Sequence, residues 1–277
     1  MGTWHLEAFT NRSAGGQLMS DNRTVLVVGL GEVGKPLLAI LSQRYQVVGI
    51  DLKDPSQQIE RADVMHICYP FEIYDFVGET VRYIGRYKPV LTIINSTVGV
   101  GTTRKIAAGA GADVVHSPVR GKHAHMQEEM LSYTKFIGAL DSRAAHIAAR
   151  HFEASGFKTR ILSSPESTEL GKLAETTYFG MMIAWAQEVE RYCDRTGTNY
   201  DEVISLFDEV RFFPPVKYFP GTIGGHCVMR NIEILSRVDS SALLRAIQSS
   251  NEKKIEREAG KHVQPEECPA LAATPKD

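Results

Sequence analysis

The sequence predicts an α/β protein: a doubly wound parallel sheet followed by a smaller all-helical domain with a long central helix. Three observations predict it. Short apolar runs of strand length alternate with amphipathic helical stretches from Thr24 onward, a glycine-rich turn joins the first run to the first helix, and the alternation stops after Ser163. In a βαβα order each crossover lays a helix on the sheet, so the strands are buried on both faces and read as continuous apolar runs.

Taken in order, residues 24–29 read as the first strand, and 33–44 as a helix with Leu37, Leu38 and Leu41 on one side. Strands follow at 46–51, 62–69, 90–95 and 113–116, with helices at 73–86 and 102–108. Strands at 135–140 and 157–162 flank a helix at 142–155. Beyond them Ser164-Pro165 is a strong helix start, a serine cap with proline in the first turn. The helix runs to about Arg195 and stops at Gly197. Along it Leu170, Leu173, Thr177, Met181, Ala184, Glu188 and Tyr192 recur at spacings of three and four. Leu170, Met181 and Trp185 are expected in the buried stripe, with Ala174 and Ala184 admitting a close helix. Further helices are expected at 200–207 and 240–258. The expected domains are a flexible leader at 1–22, a sheet domain at 23–162, a helical domain at 163–258 and a disordered tail at 259–277.

Composition narrows the class of function. With 277 residues, 43% of them hydrophobic, the chain has the length of one large domain or two medium ones, and either can bury a full core. A formal net charge of −2 offers no basic excess for nucleic acid or an anionic membrane. No apolar run approaches the roughly 20 residues of a membrane-spanning helix, and residues 1–22 lack the cationic and apolar segments of a secretory signal. Cys68, Cys193, Cys227 and Cys268 are scattered without a CxxC pair. That pattern argues for reduced thiols in a cytoplasmic protein over a disulfide framework or a zinc site.

Gly29-Leu30-Gly31-Glu32-Val33-Gly34 lies between the first strand and the first helix. In such a turn the first glycine permits the sharp bend, the second lets backbone approach a pyrophosphate, and the third lets helix pack on strand. The helix N-terminus adds free N–H groups and the positive end of its dipole. Asp51 closes the second strand, placed to accept the ribose hydroxyls and to repel a 2′-phosphate. This predicts a Rossmann-type domain binding NAD, although Lys53 nearby weakens the preference over NADP a little. The candidate cofactor residues are Gly29, Gly31, Glu32, Val33, Gly34 and Asp51, with Tyr69, Pro70, Ser96 and Thr97 at the ends of later strands. A flavin alternative has no supporting motif.

Several further segments resemble the UDP-glucose/GDP-mannose dehydrogenase family. They are Asn95-Ser96-Thr97-Val98 with Gly101-Thr102-Thr103, Ser117-Pro118-Val119-Arg120, Glu169-Leu170-Gly171-Lys172-Leu173-Ala174-Glu175, and Gly221-Thr222-Ile223-Gly224-Gly225-His226-Cys227. Their order and spacing fit the family from about Thr24 to Glu258. The resemblance implies oxidation of a nucleotide-sugar primary alcohol to the carboxylate with two NAD reduced in sequence. It implies Cys227 as the nucleophile toward the aldehyde, Lys172 as the partner of water and oxyanions, and Thr97 beside the nicotinamide. Candidate substrate contacts are Arg120, Thr176, Gly224, Gly225, His226 and Asn231.

The departures are also specific. Val119 stands where the family has glutamate, Thr176 where it has asparagine, and Asn231 where it has aspartate. Only about ten residues separate Asp51 from the strand at Ala62, which omits one family strand. The recognisable sequence stops near Glu258, at a helix resembling the link to the family's third, nucleotide-binding domain, so a chain without that domain is expected. His116, His123 and His125 lack metal-ligand spacing, and no metal is expected. The long helix at 165–195 is expected to form a homodimer. Three functions compete: an alcohol or aldehyde oxidoreductase using Cys227 and Lys172, a single-hydride-transfer dehydrogenase of the β-hydroxyacid type, and a non-catalytic NAD-binding subunit.

Overall fold

The computed structural model describes residues 21–51, 59–121, 125–210, 220–224, 228–239 and 241–260. The expected leader, apart from its last two residues, and all but the first two residues of the expected tail lie outside them. The chain divides into two compact units, residues 1–96 with 103–165, and residues 97–102 with 166–277.

The first unit is a seven-stranded sheet in the order β2-β1-β3-β4-β5-β6-β7. Its strands are β1 (Asp21–Val28), β2 (Tyr45–Ile50), β3 (Val64–Ile67), β4 (Leu91–Ile94), β5 (Val114–His116), β6 (Lys135–Ala139) and β7 (Thr159–Leu162). The helices are α1 (Gly34–Leu41), α2 (Phe76–Tyr87), α3 (Thr102–Ala110), α4 (Met126–Ser132) and α5 (Ser142–Glu153). Asp21 and Asn22, expected in the leader, belong to β1. The first five strands are parallel, as the apolar runs predict; β3 and β4 are buried throughout. Strand order reverses between β1 and β3, which leaves a crevice at their carboxyl ends, where ligands of open α/β sheets bind. One pairing departs from the parallel pattern: β6 runs antiparallel to β5 and parallel to β7. The chain turns back from β5 into β6 with only α4 between them, so β6 begins at the carboxyl edge. The sequence does not foretell α4, whose seven residues are too few to display a helical period.

The core of this unit is aliphatic around β1, β3, β4, α1 and α5, yet it encloses fully buried imidazoles, two of them in direct contact. His66 on β3 and His151 on α5 face each other with Nε2 atoms 2.9 Å apart. Tyr45 stacks on His151 and donates from its hydroxyl to the His151 carbonyl at 3.0 Å.

The second unit is helical: α6 (Pro165–Thr196), α7 (Tyr200–Asp208), α8 (Val228–Leu235) and α9 (Ala242–Gly260). The α8 helix is the second element the sequence reading lacks. The buried face of α6 also differs from expectation. Leu170 is 44% and Trp185 53% exposed, while Leu173, Thr177, Gly180, Ala184 and Gln187 are buried. The α6 helix carries apolar residues on more than one side, so its period alone does not choose a face. Packing against α8 and α9 does. The closest approach falls at Gly180, where an added Cβ would lie 2.6 Å from Val228 Cγ1. Ala184 is buried as expected, whereas Ala174 is exposed. On α9, Lys254 reaches both carboxylate oxygens of Glu190 at 2.7 and 3.0 Å.

Burial, reinforced by His151 and Lys135, holds the His66 pKa well below its ordinary value of 6.5. Folded protein keeps this ring neutral, while the unfolded chain takes up a proton near pH 6.5. The unfolded state therefore binds more protons, and stability falls as pH drops below about 6.5, by at most about 1.4 kcal/mol per pH unit from this group. Thermal unfolding between pH 8 and 5 should show that decline, and His66→Gln should flatten it; an unaltered slope in the variant would locate the acid sensitivity elsewhere.

Candidate functional site

The glycine turn sits at the strand-order reversal. Gly29 has φ of +93° and donates its N–H to the Ile50 carbonyl at 2.8 Å. A Cβ on it would lie 2.7 Å from the Tyr69 nitrogen, so the turn is pressed against the end of β3. Gly34 is tighter, because its Cβ would fall 1.8 Å from the Gly29 carbonyl oxygen. Gly31 is exposed and an added Cβ there meets nothing within 4 Å. Gly29 and Gly34 are thus required by the fold itself, whereas Gly31 leaves bare backbone facing outward. Val33 caps α1 without a side-chain hydrogen bond, and the first turn carries no acidic residue. That end of the helix keeps its positive character for an anion. Glu32 is exposed, and Asp51 sits half-buried just past β2.

The other strand ends present different groups. The Tyr69 ring is buried. Its hydroxyl donates to Thr80 Oγ1 at 2.6 Å, because the Thr80 hydrogen is given to the Phe76 carbonyl at 2.7 Å. Of the expected contacts at this point, Pro70 is the exposed one. Ser96 Oγ donates to the Tyr69 carbonyl at 2.6 Å, which ties β4 to β3. Cys68 lies beneath, its thiol pushed up to about 12 by burial against the opposing pull of Lys135 and Asn95. It is therefore an inert thiol at neutral pH. Val119, where a glutamate was expected by resemblance, packs in the apolar core. Arg120 spreads its guanidinium over the rings of Tyr133 and Phe136, at 5.1 and 5.7 Å. His116 is fully buried, and its Nε2 donates to the Ser96 carbonyl at 3.1 Å. His125 is exposed, while His123 and Lys53 lie outside the described residues. Among the described residues no group of three or more His, Cys, Asp or Glu could hold a metal ion.

Within the helical unit, residues 97–102 lie with the start of α6. The buried carboxylate of Glu169 accepts the Gly101 N–H at 2.6 Å, and Thr97 is half-buried nearby in sequence. Lys172 is half-buried on the next turn. One turn further, Thr176 Oγ1 bonds to the Lys172 and Leu173 carbonyls at 3.0 and 3.1 Å and accepts from Asn231 Nδ2 at 2.9 Å. The two substituted positions are therefore partners, one on α6 and one on α8. The chain ahead of Cys227 is pinned from two helices. Gln187 donates to the Gly221 carbonyl at 2.7 Å, and the Asn251 amide bonds both to the Ile223 N–H at 2.7 Å and to the Ile223 carbonyl at 3.3 Å. Gly224 is exposed. Gly225, His226 and Cys227 lie outside the described residues. Sequence reading missed Glu169, Gln187 and Asn251 as loop anchors, since a buried polar residue on a helix has no one-dimensional mark.

Residues 166–253, from α6 into α9, match the model for the UDP-glucose/GDP-mannose dehydrogenase family, central domain. That match covers most of the helical unit. A relative, the UDP-N-acetyl-D-mannosamine dehydrogenase of Methanocaldococcus jannaschii, is 26% identical over 74% of this chain, and the chain spans 60% of that relative's length. Among solved structures, the UDP-D-ManNAc dehydrogenase of Pyrococcus horikoshii superposes with a TM-score of 0.73 at 24% identity, covering 86% of this chain and 70% of that one. A 3-hydroxyisobutyrate dehydrogenase from Mycobacterium tuberculosis superposes at 0.66 with 16% identity, covering 86% of this chain and 94% of that one. These superpositions establish a Rossmann-type α/β fold. The family match spans Lys172, Thr176 and Asn231, so both departures of the central domain fall inside it.

The two outer glycines differ from the middle one in a measurable way. Gly34→Ala should destabilise the protein by about 3 kcal/mol, because neither backbone in the contact can yield. Gly31→Ala should leave thermal unfolding unchanged, and a large loss of stability there would contradict the open surface described.

Proposed function

We propose that this chain is an NAD-dependent oxidoreductase acting on the alcohol or aldehyde carbon of a small molecule, with a nucleotide sugar as the favoured class. The observation that carries the reading is the open backbone at Gly31, set by Gly29 and Gly34 at the strand-order reversal, in a chain whose helical unit matches the dehydrogenase family. The residues fit the cofactor. Gly29, Gly31, Val33 and Gly34 with the start of α1 would hold the pyrophosphate, and Asp51 the adenosine ribose. NAD, when bound, supplies the hydride acceptor.

The protein's own groups do the rest. Lys172 stabilises the oxyanion as it develops, and Thr97 holds a water or hydroxyl. Cys227 adds through sulfur to the aldehyde carbon, and Gly224, Gly225 and His226 precede it in the sequence as substrate contacts. Arg120 is the anion contact, held by its two rings. Asn231 and Thr176 present a neutral hydrogen-bonded pair next to Lys172. Tyr178, Trp185 and Tyr192 are exposed on α6 at seven-residue intervals, one face of the helix. That stripe supports a homodimer through α6. Among the described residues no helix is long and apolar enough to cross a membrane, and the cysteine usage favours a cytoplasmic enzyme.

The same neutral pair, with Val119 in the core, favours a second reading: one hydride transfer with no thioester to hydrolyse. Counting NADH per substrate oxidised decides between them, two equivalents for acid formation and one for the simpler reaction. Cys227→Ser should abolish aldehyde oxidation and leave NAD affinity intact, and undiminished turnover would remove the cysteine from the mechanism. Trp185→Glu should convert the sedimenting species from dimer to monomer. A dimer that persists would place the interface on another face.

A further inference from the structure

Lys135 is the first residue of β6 and only 6% exposed. Because β6 runs against β5, its beginning lies at the carboxyl edge of the sheet, beside the ends of β4 and β5. Its Nζ donates to the Ser117 carbonyl at 2.7 Å, to the Pro118 carbonyl at 3.4 Å and to Asn95 Oδ1 at 3.1 Å. It also lies 5.1 Å from the centre of the Phe152 ring. A buried ammonium is costly unless its protons are engaged, and these three acceptors come from the two strand ends that carry candidate contacts.

The cation also decides hydrogen-bond directions beyond its reach. An ammonium only donates, so the Asn95 side-chain oxygen faces it and Nδ2 faces the other way. That nitrogen donates to His66 Nδ1 at 3.1 Å and to the Ile93 carbonyl at 3.3 Å. Neutral His66 then carries its proton on Nε2 and donates to His151. On the opposite side the Asn95 carbonyl accepts the Val119 N–H at 3.2 Å, and the Ser117 N–H bonds to Ile94 O at 2.9 Å. Tyr133 and Phe136, either side of Lys135 in the chain, hold the Arg120 guanidinium. One strand entry thus engages the Asn95 side chain and the backbone at residues 117 and 118, while its chain neighbours hold one half-buried cation.

We propose that Lys135 is a positioning residue that fastens the Ser96 and Ser117–Arg120 segments in the conformation dinucleotide binding requires. The proposal rests on the reading of this edge as the NAD site. The test uses the full chain as wild type, Lys135→Met, which keeps the aliphatic stem without donors, and Lys135→Gln, which keeps a shorter donor. Each is checked for folding by circular dichroism, titrated with NADH by fluorescence, and mapped by amide hydrogen exchange.

Lys135→Met should bind NADH about tenfold more weakly, and Lys135→Gln should recover part of the loss. Exchange should quicken at residues 95–97 and 117–120 while residues 25–28 and 64–67 keep their wild-type rates. Should Lys135→Met not fold, Lys135→Gln alone carries the test, with a severalfold loss of affinity expected. A folded variant with wild-type affinity and exchange overturns the proposal, as does acceleration spread evenly over the sheet, which marks general destabilisation. If the wild type itself binds no NADH, the dinucleotide reading fails on its own. The exchange maps then decide: acceleration confined to the edge supports the positioning role, and its absence overturns it.

Discussion

The carboxyl edge of the sheet is held by a run of backbone hydrogen bonds, each passing from one strand end to its neighbour. Gly29 donates to Ile50 O, Cys68 to Val28 O, Asn95 to Ile67 O and Ser117 to Ile94 O, all at 2.8 or 2.9 Å. Each bond lies just past the regular pairing of two strands, so it sets where each strand stops and its loop begins. The glycine turn obeys the same constraint from above. Gly29 must adopt positive φ while lying against the end of β3, and Gly34 must lie against Gly29, so that bend admits no side chain at either place. Gly31, by contrast, is exposed with nothing within 4 Å of an added Cβ, although its carbonyl accepts the Lys35 N–H at 3.2 Å. The open surface of the turn therefore lies at its middle glycine and the start of α1.

The helical unit shows a related economy. Thr176 and Asn231 are separate departures from the family pattern in the sequence, but they form one hydrogen bond between α6 and α8. A change at one alters the hydrogen-bonding needs of the other, because a buried polar group left without its partner costs more than the bond itself contributes. The pair should accordingly be considered as a unit when the chemistry beside Lys172 is weighed. Asn251 plays a comparable structural part on the loop ahead of Cys227. Its amide offers both an acceptor and a donor to the same residue, as a neighbouring strand would.

Much of this architecture was legible in one dimension. The parallel strands announce themselves as apolar runs, the first turn by its three glycines, and α6 by Ser164, Pro165 and Gly197 at its two ends. The helices α4 and α8 were not legible. They are about two turns long, and neither follows a sequence signal such as the glycine turn that marks the start of α1. The buried face of α6 was misjudged at Leu170 and Trp185 for the opposite reason, since a helix with apolar residues on several sides offers more than one stripe.

The sequence by itself determined the order of the strands and of every helix except α4 and α8, the glycine turn with Asp51 beyond it, and the segments that resemble the dehydrogenase family. Those features are local, written in the spacing of residues along a strand or around a turn. Only the tertiary structure decided that β6 reverses, that Lys135 therefore arrives beside Asn95 and Ser117, and that Thr176 meets Asn231. Each of these contacts joins residues far apart in the chain, and their meeting depends on strand direction and helix packing. Around the glycine turn, spacing names the residues that can face a dinucleotide, and packing determines which of them remain exposed.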